Sequence, residues 1–316
     1  MGPATDGILL IDKCVGETSH GVVKKTRFAF KGPNRVKVGH AGTLDPFATG
    51  LLIVLVGQGT KLSQFIMPGE KVYSATLELG VETDTLDLTG AVVNTAAVPD
   101  MSLEHVQEKA KQFVGKLRQV PPAYSAVRFQ GKRAYQLARK GQAVELEARE
   151  ITVHSFEILS MALPEITVRI RCSSGTYVRR LASDLGKALG TCGHLRSLRR
   201  IKSGPFHVGE ALSSAEIGSG VQGPSLSERI LPLRDAIPHM GEIVVSAKTA
   251  EKVRQGCRPA WEELTSGFDP KSDVSPDLHE GRIKLVSGGE LVAILQVTLG
   301  DGGGHGRIDI ERVFSS

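Results

Sequence analysis

The chain has 316 residues, 41% of them hydrophobic and 23% charged, with a formal net charge of +5. That is ordinary globular composition, which excludes wholesale disorder and collagen-like structure, and the length suggests one large domain plus a smaller one, or two medium ones. The longest apolar run, Leu51 to Val56, falls far short of the ~20 residues a membrane helix needs, and Met1 to Leu9 holds no positive cluster followed by an apolar run; a soluble, cytoplasmic protein is expected.

In chain order, Gly7 to Asp12 is a short β-like apolar run, followed by a helix over Gly21 to Phe30 with Thr18 or Ser19 as N-cap. Val38 to Pro46 is a turn-rich loop with an Asp-Pro step. Thr49 to Val56 reads as a buried strand, and Val72 to Leu79 as an alternating one with Tyr73, Ala75, Leu77 and Leu79 on one face. Leu103, Val106, Ala110, Phe113 and Leu117 have helical spacing and predict a helix from Met101 to Leu117. Ile166 to Cys172 alternates again, and Val178 to Leu189 is an amphipathic helix. Breaks at Gly218 to Pro224 and Pro238 to Gly241 precede short strands at Ile243–Val245, Ile283–Val286, Leu291–Val297 and Ile308–Val313. The pattern is α+β with a small β-barrel-like appendage.

Cys14, Cys172, Cys192 and Cys257 are scattered, without C-x-x-C pairs or finger-spaced histidines, so neither a disulfide framework nor a zinc site is expected. Charge is unevenly placed. Arg169 to His207 carries nine Lys/Arg against one acid, whereas Met240 to the end carries 9 basic against 12 acidic residues. A basic front part with a mildly acidic tail suggests a polyanion on the larger domain. There is no G-x-x-x-x-G-K-[ST] phosphate cradle, no G-x-S-x-G elbow, no second histidine after His279-Glu280, and no calcium-loop alternation around Asp84 and Asp87. What remains is Gly39-His40-Ala41-Gly42-Thr43-Leu44-Asp45-Pro46. An Asp before Pro ordinarily caps a helix or starts a turn; a chemical role needs a cation to keep Asp45 ionised, and Arg179, at a helix start in the most basic segment, is one candidate.

The block Val38 to Leu52 resembles the catalytic motif of the TruB family, the bacterial tRNA pseudouridine-55 synthases. Gly7 to Gly16, Lys71-Val-Tyr73, Leu79 to Gly90, Val120 to Ala126, Cys172 to Arg179 and Leu195 to Arg200 are similar to further family segments in the same order. The ending, Leu291-Val-Ala-Ile with Arg312-Val-Phe314, resembles the family's C-terminal PUA-like module. The resemblance implies a pseudouridine synthase fold, with a mixed, largely antiparallel central sheet, over residues 1–238. It further implies an RNA-clasping insertion at about 119–155 and a PUA-like RNA-binding domain over 239–316. It implies isomerisation of the T-loop uridine of tRNA by base flipping and a break and re-formation of the glycosidic bond, with no cofactor and no metal.

In that reading Asp45 is the nucleophile or base, Arg179 its partner, and Asp87 an acid in the same charge network. Tyr73 stacks on the flipped base, Tyr177 and Leu198 line the pocket, and His40 contacts the RNA where the base departs. Arg128, Lys132, Arg133, Arg139, Lys140 and Arg149 in the insertion, with Lys13, Lys61, Arg199 and Arg200, are expected to meet the RNA backbone, giving affinity without sequence readout. The partner is the tRNA T-arm, with no membrane, no obligate protein partner and a monomeric state expected. The family's usual Lys-Pro is here Lys13-Cys14, which loses a fixed φ but no reactive group. Competing readings are a tRNA-folding chaperone and the catalytic subunit of a guide-RNA pseudouridylation complex. Glycoside-type hydrolysis by Asp45 lacks a clearly paired second carboxylate.

Overall fold

The computed structural model describes residues 6–30, 36–142, 144–217, 226–265, 281–298 and 307–315; the expected break at Gly218 to Pro224 and the His279-Glu280 pair lie outside them. β1 (Gly7–Lys13) and β3 (Thr49–Val56) pair antiparallel, with Leu10 opposite Ile53. Neither alternates in sequence, because both faces of each strand are covered. Leu9, Ile11, Leu52, Val54 and Val56 point into one core cluster, while Ile8, Leu10, Leu51, Ile53 and Leu55 point into a second. Between them, α1 (Ser19–Ala29) is capped by Thr18, whose hydroxyl accepts from the Gly21 amide. β2 (Val38–His40) pairs with β3, so the first residues of the expected loop are strand.

After the short helix α2 (Ser63–Ile66), β4 (Lys71–Leu79) buries Tyr73, Ala75, Leu77 and Leu79 on one face, as the alternation predicts. β5 (Val81–Thr83) and β6 (Val92–Thr95) form a ribbon that carries the Asp84–Ala91 turn at its tip. The helix expected over Met101 to Leu117 is shorter: α3 spans Leu103–Lys111, and Leu117 belongs to β7 (Gly115–Gln119). Gly115, at φ +110°, takes a backbone conformation no right-handed helix can include, and from there the chain pairs with the next long strand.

That strand is β10 (Arg149–Ala162), reached through β8 (Arg128–Phe129), β9 (Lys132–Arg133) and α4 (Ala134–Ala138). Gln119 stands opposite Arg149 in register. The excursion from the sheet therefore lies between those residues, and the 149–155 end of the expected insertion is sheet instead. β11 (Glu165–Cys172) and α5 (Val178–Ala188) follow, then β12 (Gly193–Ser203), which runs antiparallel to β4 and parallel to β3. Gly50 permits that junction: at φ +99°, a Cβ there would sit 2.3 Å from the Arg200 carbonyl oxygen.

β13 (Phe206–His207), β14 (Leu212–Ser213) and β15 (Leu231–Pro232) complete an eleven-stranded, largely antiparallel sheet. The remaining elements are β16 (Gly241–Val244), α6 (Ala247–Arg254), α7 (Trp261–Thr265), β17 (Gly281–Ser287), β18 (Glu290–Thr298) and β19 (Arg307–Val313). Their four strands form a second sheet in chain order around its own apolar cluster. Phe314, fully buried, joins Leu291 and Ile294 beneath β1 and β3, so this second unit supplies the lower cover of the first sheet. Among the described residues no helix is long and apolar enough to cross a membrane.

Candidate active site

The loop from Gly42 to Pro46 is held by its backbone, and each of its carbonyls is accounted for. Arg200 donates to the Gly42 and Thr43 carbonyls at 3.1 and 3.4 Å. The Ser19 hydroxyl donates to the Leu44 carbonyl at 2.9 Å and accepts from the Leu44 amide at 2.8 Å. The Asp45 carbonyl accepts from the Ala48 amide at 3.1 Å, and the Pro46 carbonyl from the Gly16 amide at 2.8 Å and Lys13 Nζ at 3.2 Å. Lys13 Nζ also reaches the Cys14 and Glu17 carbonyls at 3.0 and 2.7 Å. β1, α1 and β12 thus fix the backbone that presents Asp45, and the presentation is rigid before any ligand arrives.

The Asp45 side chain is 35% exposed, whereas those of Arg179 and Asp87 are 4% and 5% exposed. Arg179 meets Asp45 side-on, Nε to Oδ2 at 3.0 Å and Nη2 to Oδ1 at 3.3 Å. Its remaining donors reach the Thr85 carbonyl at 2.7 Å, the Tyr124 carbonyl at 2.9 Å and Asp87 Oδ2 at 3.5 Å. Asp87 is itself fixed, its Oδ1 accepting from the Thr85 hydroxyl at 2.8 Å, the Thr89 amide at 3.0 Å and the Thr89 hydroxyl at 2.5 Å. A buried guanidinium shared by two carboxylates, with its spare donors on carbonyls, meets the condition for keeping such charges out of water. Burial pushes the Asp45 carboxyl up, Arg179 opposes that rise, and Asp87 adds to it. The guanidinium therefore offsets only part of the desolvation.

Tyr73 is buried on β4 opposite Arg200, and burial pushes its phenol up. Leu198, 7% exposed, lies across from Ala75. Tyr177 stands at the N-cap of α5, its amide donating to Gln119 Oε1 at 2.8 Å and its carbonyl accepting from Gln119 Nε2 at 3.1 Å. Burial raises the Tyr177 phenol as well. His40, half-buried at the end of β2, has a buried Nδ1 without a hydrogen-bond partner; burial first, then Arg200, His20 and Arg133, lowers its pKa. An imidazole kept neutral with a free nitrogen can donate to or accept from an incoming group.

Two of the expected phosphate ligands are corrected. Lys13 is fully buried and Arg200 is 2% exposed, both turned onto backbone carbonyls; with no exposed face, neither reaches an RNA backbone. Burial takes the Lys13 ammonium down to about 8. Two others are committed elsewhere. Arg199 pairs with Asp12 at 2.7 Å, and Lys61 donates to the Val313 carbonyl at 2.9 Å while lying 5.4 Å over the Phe314 ring. Arg128, Lys132, Arg133 and Arg139 are exposed, and no ion pair between described residues involves them. Cys14 donates its amide to Ser214 Oγ at 2.9 Å, a bond that a proline could not make. Sequence reasoning missed Ser19, Thr85, Gln119 and Tyr124, whose roles depend on contacts distant in sequence, and Thr89, which fixes Asp87 from two residues away. Among the described residues no group of three or more His, Cys, Asp or Glu is placed to hold a metal.

Residues 26–178 match the model of the TruB family pseudouridylate synthase N-terminal domain, and residues 179–237 that of the tRNA pseudouridylate synthase B C-terminal domain. The chain is 40% identical over 289 residues to tRNA pseudouridine synthase B of Geobacter sulfurreducens, covering 92% of each. It is 38% identical over 311 residues to the protein of that name from Geotalea uraniireducens, covering 98% of each. Among solved structures, the fold is similar to that in a Cbf5-Nop10-Gar1 complex, with TM-score 0.72 and 23% identity over 98% of this chain and 85% of that one.

Proposed function

The chain belongs to the TruB family of pseudouridylate synthases, and from that membership we propose that it isomerises the T-loop uridine of tRNA, position 55, to pseudouridine. The observation that carries the reading is a carboxylate gripped side-on by a buried guanidinium yet one-third open to solvent. The nucleotide's composition is unchanged overall: the bond from ribose C1′ to N1 breaks, the uracil turns, C1′ bonds to C5, the C5 proton is lost to solvent, and N1 takes up a proton from solvent. Asp45 acts on the flipped nucleotide, Arg179 holds it ionised, and Asp87 anchors Arg179 from the far side. Tyr73, Leu198 and Tyr177 receive the base. Extrusion costs a few kcal/mol, and aromatic contact returns ~1–3 kcal/mol of it. His40 contacts the RNA where the base departs.

In this reading residues 1–238 are the catalytic unit, and the cations of the excursion between Gln119 and Arg149 clasp phosphates. Residues 239–316 are a PUA-like module whose cations are largely neutralised, since Arg254, Arg258, Arg282, Lys284 and Arg307 all pair with acids. Its RNA affinity is correspondingly modest. The protein works as a cytoplasmic monomer. The test is tritium release from tRNA transcripts carrying 5-³H-uridine, with wild type and Asp45→Asn side by side. Release by wild type alone, abolished when the T-loop uridine is replaced, supports the reading. Tight tRNA binding without release would move it to a chaperone or a guide-dependent enzyme.

A further inference from the structure

The Tyr124 carbonyl accepts from Arg179 Nη2 at 2.9 Å, and its hydroxyl donates to Asp84 Oδ2 at 3.0 Å. Asp84 in turn closes the turn at the tip of the β5–β6 ribbon, its Oδ1 accepting from the Ala91 amide at 2.9 Å. From that same turn the Thr85 carbonyl accepts from Arg179 Nη1 at 2.7 Å. The result is a closed ring: guanidinium, Tyr124 backbone, Tyr124 phenol, Asp84, Thr85 carbonyl, guanidinium. The turn also holds Leu86 at φ +60°, a costly conformation for a branched side chain, secured by bonds to Thr83 and Leu195. On its other side Tyr124 lies near the start of the excursion from the sheet, where the Tyr135 amide donates to the Ser125 carbonyl and the Ala134 amide to the Val127 carbonyl.

We propose that Tyr124 is a positioning residue for the isomerisation: its phenol closes the ring that aims Arg179 at Asp45, and it makes the root of the RNA-clasping excursion a part of that ring. The inference rests on the isomerase reading above. Among the described residues the side chain hydrogen-bonds to Asp84 and not to Asp45, so it acts through Arg179. The charged and titratable groups facing Asp45 are Arg179 from α5, Asp87 from the turn, Lys13 from β1, Tyr73 from β4 and Tyr177 at the start of α5. Of these, only Arg179 and Asp87 are seated by the ring.

Tyr124→Phe removes one hydroxyl, and because Asp84 is exposed, water can replace the lost donor without a folding defect. Single-turnover tritium release is measured against pH for wild type, Tyr124→Phe, Asp84→Ala and the double variant, at saturating tRNA. The expected result is a rate lowered about three- to tenfold and an acid limb displaced to higher pH in each single variant, with the double variant no worse than the poorer single. A change in folded fraction scales the rate but does not move the limb. Variants whose acid limb coincides with wild type, or whose losses multiply in the double, would overturn the inference. Should wild type release no tritium from any tRNA, the isomerase reading fails instead. Hydrogen exchange then decides on the ring, with faster exchange at the Ala134 and Tyr135 amides of Tyr124→Phe supporting it and unchanged exchange refuting it.

Discussion

Replacing Arg179 with lysine keeps one positive charge and removes the planar fork, which makes it the sharpest test of the site's geometry. The guanidinium has five contacts: two with Asp45 and one each with Asp87, the Thr85 carbonyl and the Tyr124 carbonyl. An ammonium offers three donors from a single atom, so at least two contacts are lost. The side chain is 4% exposed, so water does not readily take the empty places. A loss of about 1–3 kcal/mol for each orphaned acceptor gives about 2–6 kcal/mol. With each ~1.4 kcal/mol worth tenfold in rate, the single-turnover rate should fall by at least about thirtyfold. The assay is tritium release at saturating tRNA, with tRNA affinity measured by filter binding and folding by thermal melting. Arg179→Lys that melts like wild type and turns over within threefold of it would refute the claim that fork geometry, rather than charge alone, holds Asp45.

Asp45→Asn should abolish release while leaving tRNA affinity within a few-fold, and retained turnover would remove Asp45 as the reacting group. The wild-type rate should fall as pH drops through an Asp45 pKa that burial has raised. The loss then begins above the ordinary aspartate range near ~3.9, and a flat rate down to that range would contradict the assigned direction. Lys13→Met, which keeps the volume but leaves the Cys14 and Glu17 carbonyls without their donor, should lower the urea midpoint of unfolding by the equivalent of about 2–6 kcal/mol; an unchanged midpoint would argue that water fills the site. Phe314→Ala should destabilise by about 3–5 kcal/mol, since the ring is fully buried beneath β1 and β3. For the same reason, deleting everything after Met240 should yield an aggregating chain rather than a weak binder, as gel filtration would reveal.

The uneven legibility of the sequence has a physical cause. β1, β3, β4 and α5 were readable because their burial is written as local periodicity or as an unbroken apolar run, with Thr18 capping α1 where expected. α3 was overextended because Phe113 and Leu117 sit at helical spacing yet reach the core from a turn and a strand, the change being made by a single positive-φ glycine. The pairing of Asp45 with Arg179 spans 134 positions, and spacing alone left it a guess; family resemblance, not periodicity, suggested it. Tyr124, Thr85 and Ser19 left no local signal because each matters through a partner remote in sequence: Arg179 and Asp84 for Tyr124, Arg179 for Thr85, and the Leu44 backbone for Ser19.

The misjudged residues explain the site better than the expected ones. Lys13 and Arg200 are expected from sequence to meet phosphates, Arg200 as part of the most basic segment of the chain. Both are buried, and their hydrogen bonds go to backbone carbonyls rather than carboxylates. A carboxylate partner would have neutralised each of them. Carbonyl partners satisfy the donors and leave the positive charge uncancelled, and Lys13 lowers the Asp45 pKa alongside Arg179, against burial and Asp87. The same bonds fix the Gly42–Pro46 backbone, so orientation and charge come from one set of side chains. Preorganised charge of this kind needs no rearrangement at the moment of reaction. It follows that the rate should respond to Lys13 and Arg200 although both are buried, and that their loss should be felt in turnover more than in tRNA affinity.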